Sequence, residues 1–198
     1  MKVIGIVGGI ASGKSVVADE LANLGAVLVD ADQMGHIVLT EPEVIEILSN
    51  RWGAKILDSN GGIVRAKVAE IVFHGSESAA ELKFLESVSH PRIRAKIVCR
   101  LEELRAAGAM AAILDAPLLF KTGLDAFCDV ILFVECPQNV RQERAIRRGW
   151  TEAQFQQREA AQLPVDQKRK RSHQVIDNSG SLDTTRRQIR QFWESAIR

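Results

Sequence analysis

Five short stretches of the chain are wholly or mostly apolar, without the two-residue alternation of a half-exposed strand or the three-to-four spacing of a surface helix. They are residues 3–7, 26–29, 111–114, 130–134 and 174–176, and each runs into Gly, Asp, Pro or Asn. This pattern predicts strands buried on both faces. Helical spacing fills the gaps. One helix follows Gly13 and stops at Gly25, and Thr40-Glu41-Pro42-Glu43 has the form of a capping box ahead of Val44, Ile45, Ile47 and Leu48. Ile93, Ile97, Leu101 and Leu104 make a stripe at steps of four, four and three, and Thr151-Glu152-Ala153-Gln154 reads as a second capping box. A last helix, from about Asp183, puts Ile189, Phe192, Trp193 and Ile197 on one side to dock on the core.

Strands alternating with helices predict an α/β fold: a five-stranded parallel sheet, right-handed crossovers, and helices on both faces in three layers. The spacing is uneven. About eighty mostly helical residues separate the second strand from the third, and about forty, rich in Arg and Gln, separate the fourth from the fifth. Two such insertions point to moving parts around a site at the carboxyl ends of the strands.

A chain of 198 residues, 46% hydrophobic and 26% charged, fits one ordinary globular domain and excludes disorder or a collagen-like rod. Cys99, Cys128 and Cys136 form no CxxC pair, and an odd count suits a reducing compartment, so they read as packing residues. The longest uncharged, mostly apolar run, 106–114, is too short to span a bilayer, and the N-terminal residues lack a signal-peptide core. A cytoplasmic protein is the expectation. The net charge of +1 conceals an asymmetry: residues 137–198 carry 13 Lys/Arg against 7 Asp/Glu, a balance of +6, which leaves −5 for residues 1–136. A basic third suits nucleic acid, a membrane surface or the phosphates of a small substrate.

Gly8-Gly9-Ile10-Ala11-Ser12-Gly13-Lys14-Ser15 decides among these, since it fits G-x-x-x-x-G-K-[ST], follows the first predicted strand and opens a helix. Glycines let successive N–H groups turn inward toward one anion, and the helix N-terminus adds partial positive charge. The motif predicts that Lys14 bridges the β- and γ-phosphates of a nucleotide, that Ser15 ligates Mg²⁺, and that residues 11–16, Val16 included, supply backbone donors. The core is then of the P-loop NTPase kind.

Carboxylates follow two of the strands. Asp30 and Asp32 close the second, and lie near the phosphate loop if that strand neighbours the first. Asp32 can take the proton of an attacking hydroxyl or hold a magnesium-bound water, while either residue can instead cap the next helix. Asp115, after 111–114, has the position of a Walker-B carboxylate for Mg²⁺, or forms a turn.

Taken together, Gly8 to Ser15, Asp30-Ala31-Asp32 with His36, Gly61-Gly62-Ile63-Val64-Arg65, His90-Pro91-Arg92-Ile93 and Asp115-Ala116-Pro117-Leu118-Leu119-Phe120 resemble the dephospho-coenzyme A kinase family. Arg144 and Arg148, Gln162-Leu163-Pro164 with Lys168, and Val175-Ile176-Asp177-Asn178-Ser179-Gly180 extend the resemblance over nearly the whole chain. It implies transfer of the γ-phosphate of ATP, with Mg²⁺, to the ribose 3′-hydroxyl of dephospho-coenzyme A, the last step of coenzyme A synthesis. It also implies a core of 1–30, 108–137 and 173–198, an acceptor-binding helical region 31–107 and a lid 138–172. Asp32 is then the base or orienter, with Lys14 and Arg144 as its catalytic companions. Arg65, His90, Asp115, Pro117 and Leu118 fall on the acceptor side, and Gly8, Gly9, Ala11, Ser12, Gly13, Arg148, Asn178 and Gly180 on ATP, the last two at the adenine. The partners implied are those two small molecules, not nucleic acid or membrane, and a monomer is expected. Lys121 departs from the family's acidic residue, Val16 from its Thr, and Ser172-His173 from its Ala-Asp.

Other readings stand beside these. His90 can cap a helix, Arg144 and Arg148 can line a solvated face with Arg141, and Lys168-Arg169-Lys170-Arg171 has the look of a solvated helix end, with Lys168 alone singled out by the resemblance. Trp52, Trp150 and Trp193 read as packing, His74 and His173 as surface or helix-end residues. A nucleoside-monophosphate kinase would share the core. A GTPase would need an Asn-Lys-x-Asp segment, which the chain lacks, and a nucleic-acid module would bind in a salt-sensitive way without ATP.

Overall fold

The computed structural model describes residues 1–74 and 77–197. They form β1 (Lys2–Gly8), α1 (Lys14–Asn23), β2 (Ala26–Asp30), α2 (Ala31–Val38), α3 (Pro42–Trp52), α4 (Arg65–His74), α5 (Ser78–Ala106), β3 (Ala111–Asp115), β4 (Val130–Glu135), α6 (Gln138–Arg147), α7 (Glu152–Ala160), α8 (Val165–Lys170), β5 (Gln174–Asp177) and α9 (Leu182–Ala196). The five strands make one all-parallel sheet in the order β2-β3-β1-β4-β5. Every strand therefore ends on the same edge, and β1, with the phosphate loop at its tip, is central.

The sheet order corrects one sequence expectation. β2 pairs with β3, not with β1, and Asp30 stands opposite Asp115, which in turn stands opposite Ile6 of β1. The premise that put Asp30 next to the phosphate loop fails; a whole strand lies between. Asp32 is past the strand altogether, in the first turn of α2.

The chain divides into two compact units, Met1–Asp30 with Arg100–Arg198, and Ala31–Cys99. In the first, one face of the sheet presents Ile4, Ile6, Ile113, Leu132, Val134 and Ile176 to Val17 and Leu21 of α1 and to Ile189, Phe192 and Trp193 of α9. The opposite face meets the segment after β3. A Cβ on Gly5 would come within 2.8 Å of the Cys128 sulfur and 3.1 Å of Leu119, so only glycine lets β1 pack this closely. Burial pushes the Cys128 thiol up to about 12, which leaves it a packing group without reactivity.

In the second unit Val38, Val44, Leu48, Trp52, Ile56, Val68, Val72 and Val88 form a separate core. Among its described residues the buried polar group is Glu81, which accepts from Arg51 at 2.7 Å and from the Trp52 indole at 2.7 Å. Two helix-end expectations change here. The Thr40 hydroxyl donates back to the Ile37 carbonyl, and Glu41 takes the cap position of α3 with Pro42 as the first helical residue. His90 caps nothing, because α5 runs through Pro91 without a break. By contrast, Thr151 and Gln154 make the reciprocal bonds of a capping box at the start of α7. Cys99 is exposed and so is not a packing residue, whereas Trp150, partly buried beneath the guanidinium of Arg158, packs on the cluster of Ile10, Ala11, Ala145 and Phe155 as expected.

Candidate active site

Between β1 and α1 the chain must reverse around an anion-sized space, and two left-handed residues do this: Ala11 at φ 58° and Gly13 at φ 93°. Left-handed alanine is strained where glycine is not. Alternating right- and left-handed residues turn N–H groups toward one side, the geometry of an anion nest. Ser12 N–H closes onto the Gly9 carbonyl at 3.2 Å and Val16 N–H onto that of Gly13 at 3.0 Å. Gly8 and Gly9 are required for another reason: a Cβ on Gly9 would press into the Arg141 guanidinium, and one on Gly8 into the Ser12 hydroxyl and the Val134 carbonyl. The Ser12 hydroxyl oxygen is buried without a hydrogen-bond partner, so the loop does not satisfy itself.

Lys14 opens α1, its ammonium 3.4 Å from the Gly9 carbonyl. Burial lowers its pKa, Asp115 pulls the other way, and Arg141 and Arg148 lower it further. Cations outnumber anions around it. The site is built short of negative charge, as a phosphate-binding site is before its ligand arrives.

Behind the loop stands a row of polar side chains. Lys168 of α8 donates to the Gly8 carbonyl at 3.1 Å, Arg141 of α6 to the Ile10 carbonyl at 3.3 Å, and Arg144 to the Ser12 carbonyl at 3.2 Å. Asn178, just past β5, donates to the same Ser12 carbonyl at 2.7 Å, accepts from Thr185, and is itself bound through its carbonyl by Arg144 at 3.0 Å. Arg141 also pairs with Glu159 of α7 and lies over the Phe155 ring, and Lys168 extends from α8, so α6, α7 and α8 are tied to the loop. Beside this group, Val7, Pro117, Leu118, Phe120, Lys168 and Arg171 line a cavity of about 230 Å³.

The structure thus brings together Gly8, Gly9, Ala11, Ser12, Gly13, Lys14, Arg144 and Asn178, with Asp115 and Arg148 in electrostatic range of Lys14. Ser15, Arg148 and Gly180 are exposed. Asp32, Arg65 and His90 belong to the other unit. There, Gly35, one turn beyond Asp32, faces Ile93, one turn beyond His90, so the helices bearing the two residues pack together. The Gly61-Gly62 motif is a tight turn in which Asp58 accepts from Asn60 and Gly62, and it delivers the chain to Arg65 at the start of α4.

Two residues of the loop's surroundings had weak sequence signals. Arg141 and Lys168, at 4% and 5% exposure, are more deeply buried than any other Arg or Lys among the described residues, yet both sat in what looked like solvated faces. Their signal was spacing: Arg141 is one turn before Arg144, and Lys168 opens a four-residue basic run of which only it turns inward.

A P-loop at the tip of the central strand of a parallel sheet, with basic helices packed on it, defines a nucleotide-binding kinase of the P-loop class. The family model for dephospho-CoA kinase matches residues 2–184. Dephospho-CoA kinase of Corynebacterium diphtheriae is 38% identical over 98% of this chain and 96% of its own, and that of Geobacillus kaustophilus 38% over 94% and 92%. The crystal structure of TT1252 from Thermus thermophilus superposes with a TM-score of 0.81 at 32% identity, covering 98% of this chain and 97% of that one. The chain belongs to the dephospho-CoA kinase family.

Proposed function

We propose that the protein transfers the γ-phosphate of ATP to the ribose 3′-hydroxyl of dephospho-coenzyme A, releasing ADP and coenzyme A. The observation that carries this reading is the extent of the family match, which takes in the phosphate loop and the helical unit of Asp32, Arg65 and His90 alike.

In this reading the hydroxyl oxygen attacks the γ-phosphorus, the bond from that phosphorus to the β–γ bridging oxygen breaks, and the hydroxyl proton passes to Asp32. Lys14 bridges the β- and γ-phosphates, with backbone N–H groups of Ala11, Gly13 and Ser15 donating to them, while Ser12 and Val16 close the turns that hold the loop in shape. Arg144 and Arg148 offset charge spreading over the transferred group, an effect worth about 10³–10⁵ in rate where an arginine finger is involved. Asn178 and Gly180 border the adenine, with residues 138–172 as the lid. Arg65, His90, Pro117 and Leu118 hold the acceptor.

The residues also fit magnesium. The Ser15 hydroxyl is exposed in the first turn of α1, and Asp115 is close enough to act on Lys14, which makes two hard oxygen donors. These two residues would hold such an ion together with oxygens of the nucleotide phosphates. Bound there, it supplies Lewis-acid stabilisation of the phosphate oxygens.

The test is ADP release with ATP and Mg²⁺ over a panel of acceptors, for the unsubstituted protein and Asp32→Asn. Turnover with dephospho-coenzyme A and not with nucleoside monophosphates is expected, with a loss of about 10²–10⁴ in kcat in the variant and a far smaller change in ATP affinity. An undiminished rate in Asp32→Asn removes it from the chemistry.

A further inference from the structure

A trans peptide unit is planar, and its C=O and N–H point in opposite directions. The carbonyls of Gly8, Ile10 and Ser12, alternate residues of the phosphate loop, each accept a hydrogen bond from a cationic side chain of 138–172: Lys168, Arg141 and Arg144 in that order. The N–H groups of the same three planes belong to Gly9, Ala11 and Gly13, and so face away from the cations.

We propose that Lys168 and Arg141 are positioning residues for phosphoryl transfer, acting through the Gly8 and Ile10 carbonyls to aim and polarise the loop's N–H groups at the phosphates. The inference rests on the loop being the ATP phosphate site. It assigns two buried cations that the transfer reaction itself does not require.

Burying a cation is costly unless it is bonded, and both of these are. Arg141 has the carboxylate of Glu159 and the carbonyls of Ile10 and Cys136. Among the described residues no carboxylate lies within bonding distance of Lys168; its partners are two neutral oxygens, Gly8 O and Gln162 Oε1 at 2.6 Å. Lys14 of α1 and Arg141 of α6 repel it, Glu159 of α7 attracts it, and Lys121 and Arg171 line the same cavity. Burial first, then Lys14 and Arg141, bring its pKa down to about 8. A group kept charged against that environment, with its proton directed at a backbone carbonyl, stiffens the loop at a cost to stability. The effect on function follows from geometry, since a displacement of about 1 Å in a reacting group can cost roughly 10²-fold in rate.

The experiment compares the unsubstituted protein with Lys168→Met and Gln162→Glu by three readouts. In the ATP complex, amide exchange at 9–13 rises about tenfold in Lys168→Met while α9 keeps its protection. kcat falls about 10²-fold and ATP affinity, titrated directly, by much less. The alkaline fall of kcat/KM near pH 8, which reports the free protein, disappears in Lys168→Met. In Gln162→Glu it moves to higher pH, because a carboxylate beside the ammonium holds its proton. Loop exchange unchanged in Lys168→Met, or an alkaline limb that neither substitution moves, overturns the proposal. If the unsubstituted protein binds ATP but phosphorylates no acceptor, the activity reading falls, and the exchange measurement still decides the role of Lys168.

Discussion

The two units put buried charge to opposite uses. In the sheet unit, Lys168 and Arg141 direct their donors at the backbone of the phosphate loop. In the helical unit, buried Glu81 instead joins α5 to α3 through Arg51 and Trp52, and Arg51 also lies over the Phe84 ring. A cation facing carbonyls shapes a site for an anion. A carboxylate enclosed by its own donors holds helices together. Substitution should therefore cost chemistry in one unit and stability in the other.

The largest contrast is between Lys14→Ala and Glu81→Ala. Lys14→Ala should lose about 10²–10³-fold or more in turnover while melting within a few degrees of the unsubstituted protein, because it removes a phosphate ligand and relieves a buried cation. Retention of more than a few per cent of activity would break the comparison on that side. Glu81→Ala should instead lower the melting temperature by roughly 5–10 °C with kcat per folded molecule little changed, since it leaves Arg51 and Trp52 without their acceptor. A folded, fully stable and inactive Glu81→Ala would reverse the assignment.

A smaller effect concerns pH. The bonds from Arg51 and then Trp52 hold the Glu81 carboxyl below the usual glutamate range. Its contribution to stability is thus present above the unfolded value of about 4.3 and is lost as pH falls through the lower folded value. Denaturant titrations should show the unsubstituted protein losing stability in that acid window more steeply than Glu81→Gln. Lys168 has the opposite linkage. Its folded pKa of about 8 is below the unfolded one, so the unfolded chain binds more protons in between, and stability relative to Lys168→Met should rise from pH 8 toward about 10.4. Equal slopes for protein and variant would show that neither group titrates as its surroundings imply.

The smallest effect concerns α7 alone. Thr151→Ala removes one half of the capping box of α7 and should cost about 1 kcal/mol, or roughly 2–4 °C in thermal melts, with kcat unaltered.

How much of this was legible in the sequence follows the same division. The strands could be read because burial on both faces writes an unbroken apolar run, and the expected 3–7 and 130–134 fall within Lys2–Gly8 and Val130–Glu135. The phosphate loop could be read because its glycines and Lys14 serve one local geometry. Strand order could not: nothing near Ala26 records that β3, some eighty residues later, inserts between β2 and β1. Thr40 misled because a capping box is defined by three or four residues, and Pro42 let Glu41 take the cap instead. Pro91 misled because a proline usually ends a helix, and here the tertiary setting of α5 outweighs that preference. Arg141 and Lys168 were obscured since a buried cation and a solvated one are the same letter, and only the carbonyls they meet, far away in sequence, tell them apart.

The central claim is that the phosphate loop and the helical unit serve one transfer, from ATP to the ribose of dephospho-coenzyme A. Mass spectrometry of the acceptor after incubation with ATP and Mg²⁺ tests it most directly. The account predicts one phosphoryl group added per ADP released, located on the 3′-oxygen, and formation of that product slowed about 10²-fold or more in Lys14→Ala. ADP released without a phosphorylated acceptor, or a phosphoryl group on any other oxygen, would contradict it.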